Sequence, residues 1–171
     1  MWSYILGDTV KFVDTDTPRI LITGRTSYSL SAFGEHLIDE EIQGAVSVAA
    51  NDINFSVSDY SVGAVYPKSS DDLGGHRYII EFSEGIPSKA EQERYVQILD
   101  RALSEKNEDY EAHRAKGFGL KAPQLTAVSP GFFSNWMKSR GKLGGQNKVP
   151  RIIQDQDLFK NLTDFADKSL K

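Results

Sequence analysis

His76-Arg77-Tyr78-Ile79-Ile80-Glu81-Phe82 is the stretch from which the fold class of this chain can be argued most directly. Tyr78, Ile80 and Phe82 alternate along it, which predicts a strand that presents these three side chains on one face. Ser88 follows, and Glu91 three residues later completes a capping box, so a helix is predicted to begin there. A strand that leads into a capped helix indicates a sheet with helices packed on it.

Upstream of this stretch the sequence predicts a hairpin, a helix and a further strand. Residues 9–13 and 19–23 are short β-rich runs, and the turn-forming residues 14–18 between them predict a hairpin. Over residues 38–53 the apolar positions recur at three- and four-residue steps, which predicts an amphipathic helix. Three acidic residues, 39–41, lie in its first turn, where the helix dipole favours negative charge. Residues 55–66 are rich in Val and Tyr and are predicted to form a strand.

Downstream, the predicted elements are a short helix at 109–116, a strand at 124–128, an extended run at 149–153 and a final helix capped by Asp155. Ser129-Pro130 predicts the cap and first turn of another helix, which Gly141 ends. This order predicts one α+β domain with a small, mostly antiparallel sheet and helices on one face.

Composition excludes several classes of partner and site. The formal net charge of −4 over 171 residues argues against a nucleic-acid partner, and there is no cysteine to form disulfides or thiolate metal sites. No apolar run reaches the ~20 residues that cross a membrane. The start lacks the features of a signal peptide, so we expect a cytoplasmic protein. The three histidines have no metal-ligand spacing, and no metal site is predicted.

Two terminal runs carry the candidate chemistry. Lys148 lies in Gly144-Gly145-Gln146-Asn147-Lys148-Val149-Pro150-Arg151, between a flexible approach and a rigid exit, so it could bring a charge to a fixed place. Asp8 follows Gly7 directly before a strand, where its carboxylate could accept ribose hydroxyls. The competing interpretations are a surface lysine and a turn aspartate. Arg151 could hold a phosphate or pair with a surface carboxylate.

Four runs occur in order: Tyr4-Ile5-Leu6-Gly7-Asp8, Gly24-Arg25, Gly75-His76-Arg77-Tyr78-Ile79-Ile80 and Gln146-Asn147-Lys148-Val149-Pro150-Arg151. In these four runs the chain resembles the C-terminal domain of the auxin-responsive acyl-acid amido synthetases, the Gretchen Hagen family of acyl-adenylate-forming enzymes. The resemblance extends over nearly the whole length of the chain. The resemblance implies a single C-terminal lid domain over 1–171. Residues 1–26 would be the hairpin and hinge-proximal segment and 27–171 the α+β body, and the N-terminal adenylating domain would lie outside the chain.

The resemblance also implies an activity. Such a ligase adenylates a carboxylic acid with ATP and then forms an amide with an amino acid. Lys148 would be the catalytic lysine at the phosphates, Asp8 would hold the ribose, and Arg25 and Arg151 would approach the nucleotide. ATP and Mg²⁺ would both require the N-terminal domain of the same protein, so the isolated chain is expected to be inactive.

The sequence also departs from the plant members of this family. His36 stands where plant relatives carry a lysine, and the run 75–78 has one extra residue, which implies a bacterial-type relative. Two alternatives remain open: a free-standing binding module without catalysis, and the lid of an adenylate-forming enzyme that transfers its acyl group to a thiol.

Overall fold

The structure is a computed structural model that describes residues 8–25, 29–115, 119–142, 144 and 147–170, with the backbone alone at 8–9 and 23–25. The elements in chain order are β1 (Asp8–Asp14), β2 (Arg19–Arg25), β3 (Ser29–Leu30), β4 (Leu37–Ile38), α1 (Asp39–Asp52), β5 (Val57–Val65), β6 (Gly75–Phe82), α2 (Lys89–Lys106), α3 (Glu108–Ala115), β7 (Gln124–Val128), α4 (Phe132–Ser139), β8 (Ile152–Ile153) and α5 (Gln156–Ser169).

The largest sheet has four strands in the order β7-β6-β5-β8. Its central pair, β5 and β6, is antiparallel, with Tyr60 opposite Ile80, whereas β7 and β8 join the two sides in parallel. Two separate two-stranded sheets, β1-β2 and β3-β4, are antiparallel. Among the described residues three of the five strand pairings are therefore antiparallel, and the predicted α+β class is confirmed.

Helices cover both faces of the four-stranded sheet, so the expectation of helices on one face was wrong. Tyr78, Ile80 and Phe82 face a first core that α1 and α2 complete. Ile79 faces the other way, into a second core with α4 and α5. The reason lies partly in β6 itself, because Ile79, between Tyr78 and Ile80, is also apolar and is buried on the opposite face.

Gly63 on β5 shows how closely the second layer packs. A Cβ atom at this position would lie 2.6 Å from ring carbons of Phe159 on α5. Glycine at this point lets the phenyl ring lie directly on the backbone of the sheet.

The capping residues in the sequence predicted most of the helix starts correctly. The predicted capping box at Ser88 is confirmed, since its hydroxyl accepts the Glu91 N–H at 3.4 Å and its own N–H donates to the Glu91 carboxylate at 2.7 Å. Asp155 caps α5 as predicted. Ser129 does not cap α4: the cap is Gly131, at φ 86°, and Ser129 instead closes a preceding turn through its carbonyl.

The predicted hairpin, the acidic first turn of α1, the short α3 and the strand β7 are all confirmed. Within the described residues, none of the helices has the length and apolar character that crossing a membrane requires.

Candidate functional site

An open groove of about 940 Å³ runs beside β5, between the beginning of α1 and the end of α4. The segment 147–151 forms one wall of it. Its lining residues are Asp39, Asp59, Met137, Arg140, Lys142, Asn147, Lys148, Val149, Pro150, Arg151 and Leu158. Four of these side chains are cationic and two are carboxylates, so the groove is locally basic although the whole chain carries a net charge of −4. Such a surface suits an anionic ligand.

Lys148 lies beside the braced exit that its sequence context predicts, whereas residues 145–146 of the predicted flexible approach lie outside the described residues. The Lys148 side chain is exposed, and its ammonium group forms no ion pair with any residue that the structure describes. Just after it the chain is held firmly. The Ser61 hydroxyl donates to the Pro150 carbonyl at 2.8 Å, and the Val62 N–H donates to the Arg151 carbonyl at 2.7 Å. Lys148 therefore lies two residues from a fixed point on the sheet.

Arg151 lines the same groove but is partly engaged. Its Nη1 donates to Gln43 Oε1 on α1 at 3.0 Å, and its guanidinium carbon lies 5.3 Å from the centre of the Tyr60 ring. The hydrogen-bonded partner is thus a neutral amide. A guanidinium has five N–H groups, so those that Gln43 does not engage can donate to an anion in the groove.

Arg140 is a third cation, which the sequence analysis did not identify. It is the C-cap residue of α4, and its guanidinium carbon lies 4.7 Å from the centre of the Trp136 ring. The indole is itself fixed, because its Nε1 donates to Asn161 Oδ1 at 3.0 Å. A cation stacked on a buried indole has a defined position, which favours selective contact with a ligand.

Asp59 and Asp39 place negative charge in the groove. Burial raises the pKa of Asp59 above its ordinary value, and the nearby Glu81 adds to this rise, against the opposing effects of the Tyr60 N–H and of Arg151. Oδ1 of Asp39 is buried and has no hydrogen-bond partner among the described residues. The sequence analysis did not identify either aspartate as a site residue, because Asp59 lies within a predicted strand and Asp39 belongs to the acidic first turn of a predicted helix.

Glu81 connects the sheet to this groove. It is 8% exposed, and its two carboxylate oxygens accept the N–H groups of Gly131 at 2.8 Å and Phe133 at 3.0 Å. A carboxylate at a helix N-terminus accepts hydrogen bonds from the free backbone N–H groups, and its negative charge interacts favourably with the helix dipole. β6 therefore fixes one end of α4, and the opposite end of this helix delivers Arg140 to the groove.

The other sequence-predicted residues are not brought into this groove by the described structure. Asp8 and Arg25 are paired backbone to backbone at the open end of the β1-β2 hairpin. Their side chains lie outside the described part of the chain. Of the four predicted site residues, the structure thus brings together Lys148 and Arg151.

The histidines have other partners. His76 Nε2 lies 2.9 Å from Glu35 Oε1, and both side chains are almost completely buried. His36 is exposed, and its Nδ1 lies 3.3 Å from Oδ2 of Asp109. No cluster of three or more metal-binding side chains exists among the described residues.

Comparison with known proteins gives a consistent picture. Residues 40–157 match the family model described as the GH3 family C-terminal domain. The fold is similar to that of a solved structure titled "GH3.15 acyl acid amido synthetase", with a TM-score of 0.73, 20% identity and coverage of 93% of this chain. It is also similar to "AtGH3.15 acyl acid amido synthetase in complex with 2,4-DB", with a TM-score of 0.69, 20% identity and the same coverage.

The chain spans 29% of the length of each of these two structures. At this level of identity the likeness is one of fold. The comparison with curated proteins gave no significant match.

Proposed function

We propose, from the premise that this chain belongs to the GH3 family as a C-terminal domain, that it closes over the nucleotide site of an ATP-dependent acyl acid–amino acid ligase. The active protein would be longer than this chain and would include the N-terminal domain that a C-terminal domain of this family implies. We expect a cytoplasmic location, where ATP and free amino acids are available.

The observation that carries the proposal is the groove around Lys148. It combines an ammonium group that has no ion pair among the described residues, a firmly anchored backbone two residues away, and further cations at Arg140 and Arg151. A triphosphate is a highly charged anion, and a locally basic wall on a closing domain would attract and orient it.

The proposed chemistry has two steps. In the first, a carboxylate oxygen of the acyl acid bonds to the α-phosphorus of ATP, and the bond to the bridging oxygen breaks, releasing pyrophosphate. In the second, the amino group of the amino acid attacks the acyl carbon, loses a proton and expels AMP. Lys148 would act in the first step, because its positive charge would stabilise the negative charge that develops on the phosphate oxygens.

The other predicted contacts belong to the same proposal. Asp8 would accept hydrogen bonds from both ribose hydroxyls, and Arg25 would approach the ribose near the hinge. Arg151 would reach a phosphate with its free N–H groups. The described residues offer no set of three ligands that would suit Mg²⁺. The metal required by the reaction would therefore be held by the phosphates and by the N-terminal domain.

The first experiment concerns the chain alone. Because it spans 29% of the length of the solved relatives, most of the acyl and nucleotide pocket would lie elsewhere. We expect no release of AMP when this chain is mixed with ATP, Mg²⁺, a carboxylic acid and an amino acid. Appreciable turnover by the isolated chain would show that it is an enzyme in its own right.

The decisive experiment compares two lysine variants of the longer protein. Lys148→Ala is expected to lower the rate of AMP formation by a factor on the order of 10²–10³, the usual effect of removing one group that stabilises transition-state charge. Lys89→Ala, which removes an exposed lysine from the first turn of α2, is the matched control and should leave the rate unchanged. Thermal melting should be similar for both variants.

Each alternative has its own result in this experiment. Full activity of Lys148→Ala would make Lys148 an ordinary surface lysine and remove the basis of the proposal. Absence of adenylation in the longer protein under all substrate conditions would favour a binding module. Consumption of a thiol in place of an amine would identify the thiol-transferring class.

A further inference from the structure

The β1-β2 hairpin has an apolar face that nothing in the described structure covers. Its register places Val10 opposite Ile22 and Phe12 opposite Ile20. Since alternate residues of a strand share a face, these four side chains lie together on one side of the ribbon. The exposed fraction is 47% for Val10, 62% for Phe12, 57% for Ile20 and 65% for Ile22.

This concentration of exposed apolar side chains is specific to the hairpin. Of the ten large apolar side chains that are exposed in the described residues, six belong to β1 or β2. The remaining four are scattered over different elements: Val48, Tyr66, Ile86 and Leu170. Single exposed apolar residues are ordinary on protein surfaces, whereas a contiguous group marks an interaction site.

The hairpin also needs support that the four-stranded sheet does not provide. Within the part of the chain that the structure describes, β1 and β2 pair only with each other, and an isolated two-stranded hairpin is marginally stable in water. An apolar face packed against another surface would stabilise the ribbon and remove its side chains from solvent.

The position of the hairpin in the chain indicates what covers it. Residues 8–25 precede residue 40, where the match to the family's C-terminal domain begins. The two solved structures are more than three times as long as this chain, and a C-terminal domain is preceded by the rest of its protein. The hairpin therefore lies at the junction with the preceding domain, where covalent linkage gives that domain a high effective concentration.

We infer that the face formed by Val10, Phe12, Ile20 and Ile22 docks against an apolar patch on the domain that precedes this one in the longer protein. This inference rests on the proposed function only in requiring that domain to exist. It assigns the hairpin to the interface between the domains, separately from the groove around Lys148.

Hydrogen–deuterium exchange of the longer protein and of this chain tests the inference. If the face is covered, the amide groups of β1 and β2 should exchange at least about tenfold more slowly in the longer protein than in this chain. The double variant Phe12→Lys/Ile20→Lys should return their exchange in the longer protein to the rate found in the isolated chain.

Leu21→Gln is the matched control. Leu21 is 56% exposed and lies on the other face of the same ribbon, across from Lys11, so this substitution adds a polar side chain without touching the docking face and without placing two like charges opposite each other. It should leave the slow exchange intact. Equal loss of protection in this variant and in the double variant would mean that the ribbon merely unfolds, and would overturn the inference.

Three further outcomes separate a different partner, failure of the proposed function and failure of the docking inference. Dimerisation of the isolated chain in sedimentation experiments, abolished by Phe12→Lys, would identify a second copy as the partner and overturn the inference. Slow exchange in a longer protein that forms no AMP would retain the docking face and reject the proposed function. If the longer protein forms AMP but its hairpin amides exchange as fast as those of this chain, the docking face is rejected and the proposed function is retained.

Discussion

The buried pair of Glu35 and His76 leads to a prediction whose size follows from its surroundings. Glu35 is 0% exposed and His76 is 2% exposed. Besides the 2.9 Å contact with His76, the carboxylate accepts the N–H of Ala32 at 3.0 Å and of Phe33 at 2.7 Å. The histidine ring stacks on Tyr110 at a centroid distance of 6.1 Å.

His76→Phe is the informative change, because a phenyl ring can retain the stacking but cannot donate a hydrogen bond. Taking a hydrogen-bond donor away from a buried polar group costs about 1–3 kcal/mol, and more where the group is charged. Glu35 is fully buried but keeps its two backbone donors in this variant, so we expect about 3 kcal/mol. In a domain of 171 residues this corresponds to a fall in melting temperature of roughly 6–12 °C.

The chain contains a matched exposed pair for comparison. His36 and Asp109 are also a histidine and a carboxylate, 3.3 Å apart, but their side chains are 69% and 64% exposed. Asp109→Asn should therefore change the free energy of unfolding by less than about 1 kcal/mol. If the two variants destabilise the protein equally, burial does not set the strength of the pair, and the reasoning fails.

The acid sensitivity of the same pair has a definite sign. Burial alone would raise the pKa of Glu35, but the His76 hydrogen bond and the backbone donors outweigh it, and the pKa lies below its ordinary value. The folded state therefore favours the ionised carboxylate. The resulting stabilisation is fully present above the pKa of the unfolded chain and is lost as the pH falls through the lower folded value. The stability difference between wild type and Glu35→Gln should shrink over this acid range, and a difference independent of pH would contradict the assignment.

Three further predictions concern packing and helix ends. Glu81→Gln should lower the free energy of unfolding by about 1–3 kcal/mol, because an amide can accept only one of the two N–H groups at the start of α4; an unchanged denaturation midpoint in urea would refute this role. Gly63→Ala should cost about 1–3 kcal/mol through overpacking against Phe159, measured by thermal melting, and a neutral result would mean that the ring moves aside freely. Ser88→Ala should cost about 1 kcal/mol and Ser88→Asp much less, since aspartate also caps helices; equal losses in urea denaturation would argue against capping.

Features set by neighbouring residues could be predicted from the sequence. Ser88 caps α2 through residues within three positions, and Asp155 caps α5 in the same way, so both are visible in a short window. The turn at 14–18 likewise predicts the hairpin from local chemistry. The alternation along β6 predicts one buried face correctly, because strand periodicity is a property of the segment itself.

Features that depend on distant contacts could not be predicted. Glu81 binds the N–H groups of Gly131 and Phe133 some 50 residues away, which displaces the helix start from Ser129. Asp59 enters the groove because β5 lies beside the segment at 149–151, a relation that only the sheet order establishes. For the same reason the covering of both sheet faces was missed.

The position of Lys148 follows from the same distant contacts. Gly144, at φ 84°, belongs to the approach, whereas the exit is bound to β5 through Pro150 and continues into β8. Ile152 and Ile153 are 6% and 2% exposed, so the anchor is part of the buried cores. Lys148 therefore lies two residues before a segment that the sheet holds in place. We expect a variant that loosened β8 to shift Lys148 and Arg151 within the groove without removing any of its charged groups.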